Sequence, residues 1–282
     1  TKAHRKPKGH GFARKAPAVL ITSLRNPHIH AARKLVKRAV RDASREFLVE
    51  GANGVDQALL TSAPVTTVFV EGPQDRFPDL TRQARARGVA VLTVSDAVMR
   101  AISSTTTPPG IVAVCRFVDR DPVALLREPP TLAVVLAGVR DPGNAGTIIR
   151  SCAAAGVDAV FLGNATVDIY NPKFVRATAG ALFTSPFARN VEIPWLMTEL
   201  GNLGLYRVAA DPAGDTAYDR ADFRRRTAFV LGNEAWGVPA ELASAVDARV
   251  SIPMSKSVES LNVGMAATVL LFEAARQRRT GL

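Results

Sequence analysis

The sequence predicts an α/β protein built from two layered domains, and three features of the chain support this. Apolar stretches of strand length alternate with amphipathic stretches of helix length along most of its 282 residues. A proline-containing segment at 119–130 divides a first α/β unit from a second, more apolar one. The strands of the second unit are almost continuously apolar, which is typical of a sheet that helices cover on both faces. We therefore expect a disordered basic arm at 1–18, an α/β domain at 19–118, a linker at 119–130 and a second α/β domain at 131–282.

The charge balance points to a polyanionic partner. Lys and Arg number 36 against 25 Asp and Glu, which gives a formal net charge of +11. Such an excess favours nucleic acid over an anionic membrane, and a generally basic protein without such a partner is the alternative. The arm at 1–18 contains no acidic residue, so it either lies along phosphates or is an inert tail.

Other features of the composition exclude several classes of protein. No apolar run approaches the ~20 residues of a membrane span, and the N-terminus lacks the apolar core of a signal peptide. We therefore expect a cytoplasmic protein without membrane contact. Cys115 and Cys152 lie in apolar surroundings and are expected to be buried, reduced thiols. Four scattered histidines leave no credible zinc site, and we expect no metal.

The first domain is predicted to begin with a basic helix at 26–40, followed by four strands and three helices. The surface of this helix is strongly cationic, and we expect it to contact RNA phosphates. Its cations are Arg33, Lys34, Lys37, Arg38 and the adjoining Arg41. The strands are expected at 45–51, 65–70, 89–93 and 110–117, and the helices at 52–60, 79–87 and 95–102.

The alternation restarts beyond the linker with five strands and five helices. The strands are expected at 132–137, 159–162, 206–210, 228–231 and 249–252. The helices are expected at 145–155, 172–183, 195–203, 240–245 and 261–279. Three of these strands, the first and the last two, run into loops rich in Gly, Asn, Pro or Ser. Such strand ends are where an α/β protein usually binds a ligand, so we expect one composite site.

The first two of these loops hold candidate site residues. Asn144 is the expected N-cap of the first helix, and Arg150 is the only charge in that helix, although an ordinary solvated arginine is the alternative. Glu234 follows the second strand, where a site role and a helix-capping or surface role are both open. Trp236 is expected in the core or a dimer interface, and packing over a ligand is the alternative. Neither GxxxxGK[ST] nor GxGxxG is present, which argues against an NTPase and weakens a dinucleotide-binding interpretation.

The third loop leads into the last helix and holds Ser260 and Asn262. Taken alone, residues of these types at a helix start are caps more often than catalysts. After them Gly264, Ala266 and Ala267 keep one side of the helix thin, which allows close packing either internally or against a second subunit.

A further segment at 171–180 begins a helix that carries Lys173 and Arg176 on one face. Phosphate binding and an ordinary solvated face are both open for this pair.

Taken in order, these segments resemble the SpoU (TrmH-type) family of RNA 2′-O-ribose methyltransferases, of the SPOUT superfamily. The segments that carry the resemblance are 144–156, 171–180, 231–237, 252–254 and 260–263. The resemblance covers about 131–279. More weakly, 26–117 is similar to the family's N-terminal substrate-binding domain, which is shaped like a small ribosomal RNA-binding protein.

The resemblance implies transfer of a methyl group from S-adenosylmethionine to a ribose 2′-hydroxyl of structured RNA. It also implies a C-terminal sheet tied in a deep trefoil knot and a homodimer formed through that domain. By the family pattern, backbone groups around Gly232, Ile252 and Leu261 hold the cofactor, with Leu231 and Met254 nearby.

The resemblance assigns roles to five further residues. Arg150 is often regarded as the proton acceptor in the family, but guanidinium pKa values exceed ~12. A safer role is binding the adjacent phosphate and stabilising charge on the 2′-oxygen. We expect Asn144 and Asn262 to orient Arg150 or the nucleotide, Glu234 to fix the geometry of the site, and Ser260 to contact substrate.

By analogy with two-domain members of the family, 23S ribosomal RNA is the favoured substrate and tRNA the less favoured one. Some such relatives confer antibiotic resistance by modifying the ribosome, so a link to resistance is open. Two alternatives come from other classes: a non-catalytic RNA-binding or ribosome-assembly protein, and a nucleotide-dependent metabolic enzyme.

Overall fold

Two β-sheets organise the part of the chain that the structure, a computed structural model, describes. That part comprises residues 19–233, 235–242, 244–255 and 260–280. The basic arm predicted at 1–18 lies outside it, so its disorder stays a prediction.

A four-stranded mixed sheet lies at the centre of the first unit. Its strands are β1 (Glu46–Glu50), β2 (Val65–Glu71), β3 (Ala90–Val94) and β4 (Ile111–Arg116), in the order β1-β4-β2-β3. Strand β4 is antiparallel to both neighbours, whereas β2 and β3 are parallel. The helices are α1 (Pro27–Lys34), α2 (Arg38–Ser44), α3 (Ala52–Leu60), α4 (Pro78–Ala86) and α5 (Asp96–Ile102). From β1 onward, each predicted strand and helix is present with its ends within one residue.

The single helix predicted at 26–40 is wrong, because two short helices, α1 and α2, stand in its place. The guanidinium of Arg41 donates to the carbonyl oxygens of Leu35 and Val36, both at 2.7 Å, in the connection between them. These bonds take up carbonyl groups left without helical partners at the end of α1. With 2% of its surface exposed, Arg41 is also not part of the basic surface. The cations exposed there are Arg33, Lys34, Lys37 and Arg38.

The second unit holds a seven-stranded sheet in which every neighbouring pair is parallel. Its strands are β5 (Leu132–Leu136), β6 (Ala159–Gly163), β7 (Phe187–Val191), β8 (Tyr206–Ala210), β9 (Thr216–Ala217), β10 (Thr227–Leu231) and β11 (Ala248–Ser251), in the order β7-β6-β5-β10-β8-β11-β9. The helices are α6 (Pro122–Leu126), α7 (Pro142–Ala155), α8 (Pro172–Ala177), α9 (Ile193–Asn202) and α10 (Val263–Thr280).

The differences from the predicted elements have local causes. Strands β7 and β9 were not predicted; they are the two edges of the sheet, where one side of a strand is unpaired and need not be apolar. The helix predicted at 172–183 ends at Ala177, because Ala179 (φ 48°) and Gly180 (φ 94°) adopt left-handed backbone conformations. The helix predicted at 240–245 is a single 3₁₀ turn.

The parallel sheet brings distant loops to one edge. Central strands β5 and β10 pair directly, with Leu136 opposite Leu231, so the loops that follow them are neighbours. The loops after β8 and β11 emerge at the same edge, because all these strands run in one direction. The composite site therefore has a structural basis. Strand order does not by itself define a trefoil knot, which stays a prediction.

Aromatic and ionic contacts dock the two units against each other. Tyr170 stacks on Phe117, with ring centroids 3.7 Å apart. The Tyr170 hydroxyl donates to Asp119 Oδ1 (2.6 Å) and accepts from two backbone N–H groups beside it (2.8 and 2.9 Å). Burial, with the Asp119 carboxylate next to it, raises the pKa of Tyr170 and keeps this hydroxyl protonated. Arg176 adds an ion pair to the buried Glu50 at 3.3 Å. The segment predicted as a linker thus joins docked units, and it contains helix α6.

Candidate active site

A cavity of about 540 Å³ opens at the carboxyl edge of the seven-stranded sheet. It lies beyond the ends of β8, β10 and β11 and beside the starts of α7 and α10. The five residues predicted to hold the cofactor all line it: Leu231, Gly232, Ile252, Met254 and Leu261. Its volume is typical of a small-molecule site. None of the lining residues that the structure describes carries a cationic side chain.

The turn after β10 is held in one shape by hydrogen bonds. Asn233 and Gly237 exchange two backbone bonds (2.8 and 2.9 Å), and the Asn233 amide donates to the Gly138 carbonyl (3.0 Å). A Cβ atom on Gly232 would lie 2.1 Å from the carbonyl carbon of Gly237, so this close approach requires glycine. Glu234 belongs to the same turn in sequence but lies outside the described residues, so its role stays a prediction.

The start of α7 differs from the prediction at one residue. Asp141, rather than Asn144, is the N-cap, because its carboxylate accepts from the Asn144 backbone N–H at 2.8 Å. Pro142 then occupies the first helical position, where its missing N–H is not needed. The Asn144 side chain lines the cavity and accepts from Asn262 Nδ2 at 2.8 Å.

Asn262 joins the first and third predicted segments. Its Oδ1 accepts from the backbone N–H groups of Gly264 (2.9 Å) and Met265 (3.3 Å), which caps the start of α10. Its Nδ2 donates to Asn144, so a cap and a link across the cavity wall coexist in one side chain. Ser260 lines the same cavity and is exposed.

Arg150 is exposed on α7 and does not line the cavity of the single chain. The adjacent face of α7 is packed against α10: a Cβ atom on Gly264 would lie 3.3 Å from Thr147, and Ser151 Oγ and Thr268 Oγ1 are 2.7 Å apart. The thin side of the last helix therefore packs internally against α7.

The two cations predicted on one face of α8 point to different neighbours. Lys173 Nζ lies 3.8 Å from the Asp141 carboxylate, next to the start of α7. Arg176 instead pairs with Glu50 in the first unit. Lys173 is thus near the site, whereas Arg176 is partly engaged in docking the two units.

Residues around the mouth of the cavity were missed or misplaced by the sequence prediction. Trp236 is 65% exposed, so burial in the core is wrong. The residue is part of the cavity lining, and the Arg140 guanidinium carbon lies 5.5 Å from its ring centroid. Asp211 and Pro212 also line the cavity. An Asp-Pro pair directly after a strand is a turn signal that could have identified this loop.

Two further features concern metal binding and membrane contact. Among the described residues, no cluster of three or more His, Cys, Asp or Glu side chains is arranged to hold a metal ion. No helix in that part of the chain has the length and apolar character needed to cross a membrane. Both cysteines are buried free thiols, as predicted.

Comparison with known proteins finds a matching family for each of the two units. Residues 131–272 match the SpoU rRNA Methylase family, and residues 26–113 match the MRM3-like substrate binding domain. The chain is 32% identical to the 23S rRNA (guanosine(2553)-2′-O)-methyltransferase RlmP of Bacillus subtilis, over 89% of this chain and 97% of that protein. It is 32% identical to the 23S rRNA (uridine(2479)-2′-O)-methyltransferase of Streptomyces viridochromogenes, over 95% and 96%.

A solved structure gives the same result for the fold. The AdoMet-bound rRNA methyltransferase from Sinorhizobium meliloti superposes with a TM-score of 0.81 at 32% identity, over 93% of this chain and 98% of that one. The likeness extends across both sheets, and the chain belongs to the SpoU rRNA methylase family.

Proposed function

We propose that this protein transfers a methyl group from S-adenosylmethionine to a ribose 2′-hydroxyl of ribosomal RNA. The observation that carries the proposal is the cavity at the sheet edge, which gathers the five predicted cofactor residues and both predicted asparagines. Relatives over nearly the whole chain are named as 23S rRNA 2′-O-methyltransferases. These names favour 23S rRNA over tRNA as substrate.

The residues of the cavity fit S-adenosylmethionine. Leu231, Ile252 and Leu261 offer an apolar surface for an adenine ring, and backbone groups of the loops that line the cavity can bind its polar atoms. Among the described lining residues Asp211 is the only charged one, so no lining cation in that part of the chain opposes the positive charge of a sulfonium group. When bound, the cofactor supplies the methyl group on that sulfonium. The similar rRNA methyltransferase from S. meliloti was solved with this cofactor bound.

The protein's own part in the reaction is to orient the nucleotide and stabilise charge on its oxygen. A ribose hydroxyl is a weak acid, so the attacking oxygen needs donors placed where negative charge develops. We assign Asn144 and Asn262 to fixing the cavity wall, because each side chain holds the other. Ser260, exposed on the same wall, is assigned to the substrate. Arg150 is assigned to the phosphate next to the target ribose and to the charge on its 2′-oxygen.

We further propose that the enzyme is a homodimer through α10 and the neighbouring α7. Met265 and Phe272 lie seven residues apart, on one face of α10, and are 52% and 44% exposed. Arg150 is exposed on the adjoining helix and outside the cavity of its own chain. Pairing through this face would allow the Arg150 of one chain to serve the cavity of the other.

RNA contacts are assigned to both units. Arg33, Lys34, Lys37 and Arg38 form an exposed basic strip on the first unit, and Lys173 places a cation beside the start of α7. Phosphate contacts of this kind give affinity that falls with salt. An rRNA substrate would place the enzyme in the cytoplasm with the ribosomes, and a contribution to antibiotic resistance stays a prediction.

The decisive experiment supplies the protein with methyl-labelled S-adenosylmethionine and total unmodified RNA, then hydrolyses the RNA in alkali. A 2′-O-methyl group blocks cleavage of the adjoining linkage, so label is expected in alkali-resistant dinucleotides from 23S rRNA. Label in mononucleotides would identify a base methyltransferase and refute the ribose mechanism. RNA that binds without being labelled would favour the non-catalytic alternative.

A further inference from the structure

The turn that carries the exposed ring of Trp236 is closed by hydrogen bonds. Two backbone bonds between Asn233 and Gly237 close it, and the Asn233 side chain ties it both to Ala235 N (2.9 Å) and to Gly138 O (3.0 Å). The backbone that carries the ring therefore loses little freedom when something packs on it.

Trp236 is the most exposed aromatic side chain among the described residues. The indole is 65% exposed, whereas Phe272 and Trp195 are 44% and 37% exposed. An exposed indole offers a partner a large and mostly apolar ring surface. The position of Trp236 narrows the choice of partner, since this residue is among those that line the cavity that we assign to the cofactor.

Arg140 supplies a cation beside the ring. Its guanidinium carbon lies 5.5 Å from the indole centroid, within the range of a cation–π contact. Even with Arg140 in place most of the indole is open, so a further planar group can stack there. Stacking on tryptophan and arginine planes is how proteins commonly hold unpaired bases of RNA.

Geometry links this ring to the substrate. A ribose whose 2′-oxygen reaches the cavity carries its base and its neighbouring nucleotides to the cavity mouth, where Trp236 and Arg140 stand. We propose that Trp236 and Arg140 form a stacking subsite for an unpaired nucleobase of the substrate RNA, either the target base or one next to it. This subsite rests on the proposed function, because it requires RNA at the cavity.

Kinetics with unmodified, transcribed 23S rRNA test the subsite. Trp236→Ala should raise the KM for RNA about five- to 150-fold, the equivalent of about 1–3 kcal/mol for one stacked base. Trp236→Phe should retain most of the effect of the ring. Trp195→Ala removes the other exposed tryptophan, which lies on α9 and is not among the residues that line the cavity. This control variant should leave the KM for RNA unchanged.

Three results would overturn the inference. An unchanged KM in Trp236→Ala would mean that no base stacks there. If Trp236→Ala lost S-adenosylmethionine affinity, measured by calorimetry, by the same factor as it raised the KM for RNA, the indole would cover the cofactor. A halved molecular mass in light scattering would mean that Trp236 contacts a second copy of the chain.

A binding measurement separates this inference from the proposed function. The chain has two tryptophans, so Trp195→Phe leaves Trp236 as the sole indole fluorophore. A single-stranded oligoribonucleotide should quench its fluorescence, and an abasic oligomer of equal length should bind without quenching. Quenching needs no turnover, so it would support the subsite even if the wild-type protein methylated no RNA. The absence of methylation would then refute the proposed function alone. Binding of the base-containing oligomer without quenching would refute the subsite.

Discussion

Arg41 is predicted to be the side chain on which docking of the two units most depends. It is 2% exposed, forms an ion pair with Asp168 of the second unit, and donates to the carbonyls of Leu35 and Val36 at 2.7 Å. Arg41→Ala removes all of these bonds and leaves Asp168 and two carbonyl groups without this donor. Removing one partner of a buried ion pair costs about 3–5 kcal/mol.

The structure places the expected loss at the lower end of that range. The Asp168 side chain keeps 18% exposure, so water can partly replace the lost partner. Among the described residues, Nε of Arg41 has no hydrogen-bond partner, which already reduces what the wild-type pair contributes. We expect Arg41→Ala to lower the unfolding free energy by about 3 kcal/mol and Tm by roughly 6–12 °C.

Urea unfolding and thermal scans, followed by tryptophan fluorescence, measure this loss. Arg38→Ala is the matched control: Arg38 also pairs with an aspartate, Asp42 at 3.5 Å, but the two side chains are 61% and 43% exposed. Such a surface pair contributes at most about 1 kcal/mol. Equal losses in the two variants would refute the role given to Arg41. A double-mutant cycle with Asp168→Ala should in addition show a coupling above about 1 kcal/mol.

Three further outcomes follow from single side chains. Asn262→Asp keeps the oxygen that caps α10 but loses the donor to Asn144, so methyl transfer should fall while Tm stays nearly unchanged. Asn262→Ala loses the cap as well and should also lower the unfolding free energy by about 0.5–2 kcal/mol. Equal losses of Tm in the two variants would contradict this. Asp158 is partly buried, but hydrogen bonds from the start of β5 outweigh that effect and hold its pKa below the usual range. The stability that Asp158 contributes is therefore present above about pH 4 and lost as the pH falls through the lowered pKa. Urea unfolding should accordingly show that Asp158→Asn is less stable than wild type near neutrality and equally stable in acid. Burial, with Glu46 nearby, raises the pKa of Cys115 to about 12, and burial raises that of Cys152, so a thiol reagent should label neither in the native protein and both in denaturant.

The meeting of the strand-end loops in one cavity could be predicted from the sequence because the relevant information is local. Leu231 and Ile252 end apolar strands or follow them directly, and residues at such ends meet when the strands share a sheet. The close approach of Gly232 to Gly237 is likewise a local turn. Periodicity and turn residues encode this kind of geometry, whereas the cofactor role of Leu231, Gly232 and Ile252 comes from the family resemblance and stays a prediction.

Contacts between the units were not predictable in the same way. Arg41 was expected on a basic surface because its neighbours are exposed cations, but its partner Asp168 lies 127 residues away. The stack of Phe117 on Tyr170 likewise joins the two units. No periodic pattern specifies which cation is buried, because that depends on an acceptor supplied by the other unit. For the same reason the docking of α1 and α2 could not be derived from the helix pattern at 26–40.

Arg150 is a case where elementary helix geometry adds to the motif. Six residues of α-helix advance about 9 Å and about 600°, so Arg150 points about 120° away from Asn144 on α7. This agrees with an exposed Arg150 outside the cavity that Asn144 lines. Either the long side chain bends back over the RNA, or Arg150 acts on the cavity of a second chain. Function in trans is what the proposed dimer predicts.

Mixed dimers distinguish these two arrangements. Arg150→Ala should abolish methyl transfer with S-adenosylmethionine affinity nearly unchanged, and Gly232→Ala should lose that affinity because its Cβ would lie 2.1 Å from Gly237. If Arg150 acts in trans, a heterodimer of the two variants has one intact cavity served by one intact arginine. When the variants are dissociated and mixed, about half of the dimers that form are heterodimers, and one of the two cavities in each is active. The mixture should therefore regain about a quarter of wild-type activity. If Arg150 acts in cis, every cavity lacks either its arginine or its cofactor, and the mixture stays inactive. An inactive mixture, with mixed dimers demonstrated by mass, would therefore refute action in trans, and full activity of Arg150→Ala alone would remove this residue from the mechanism.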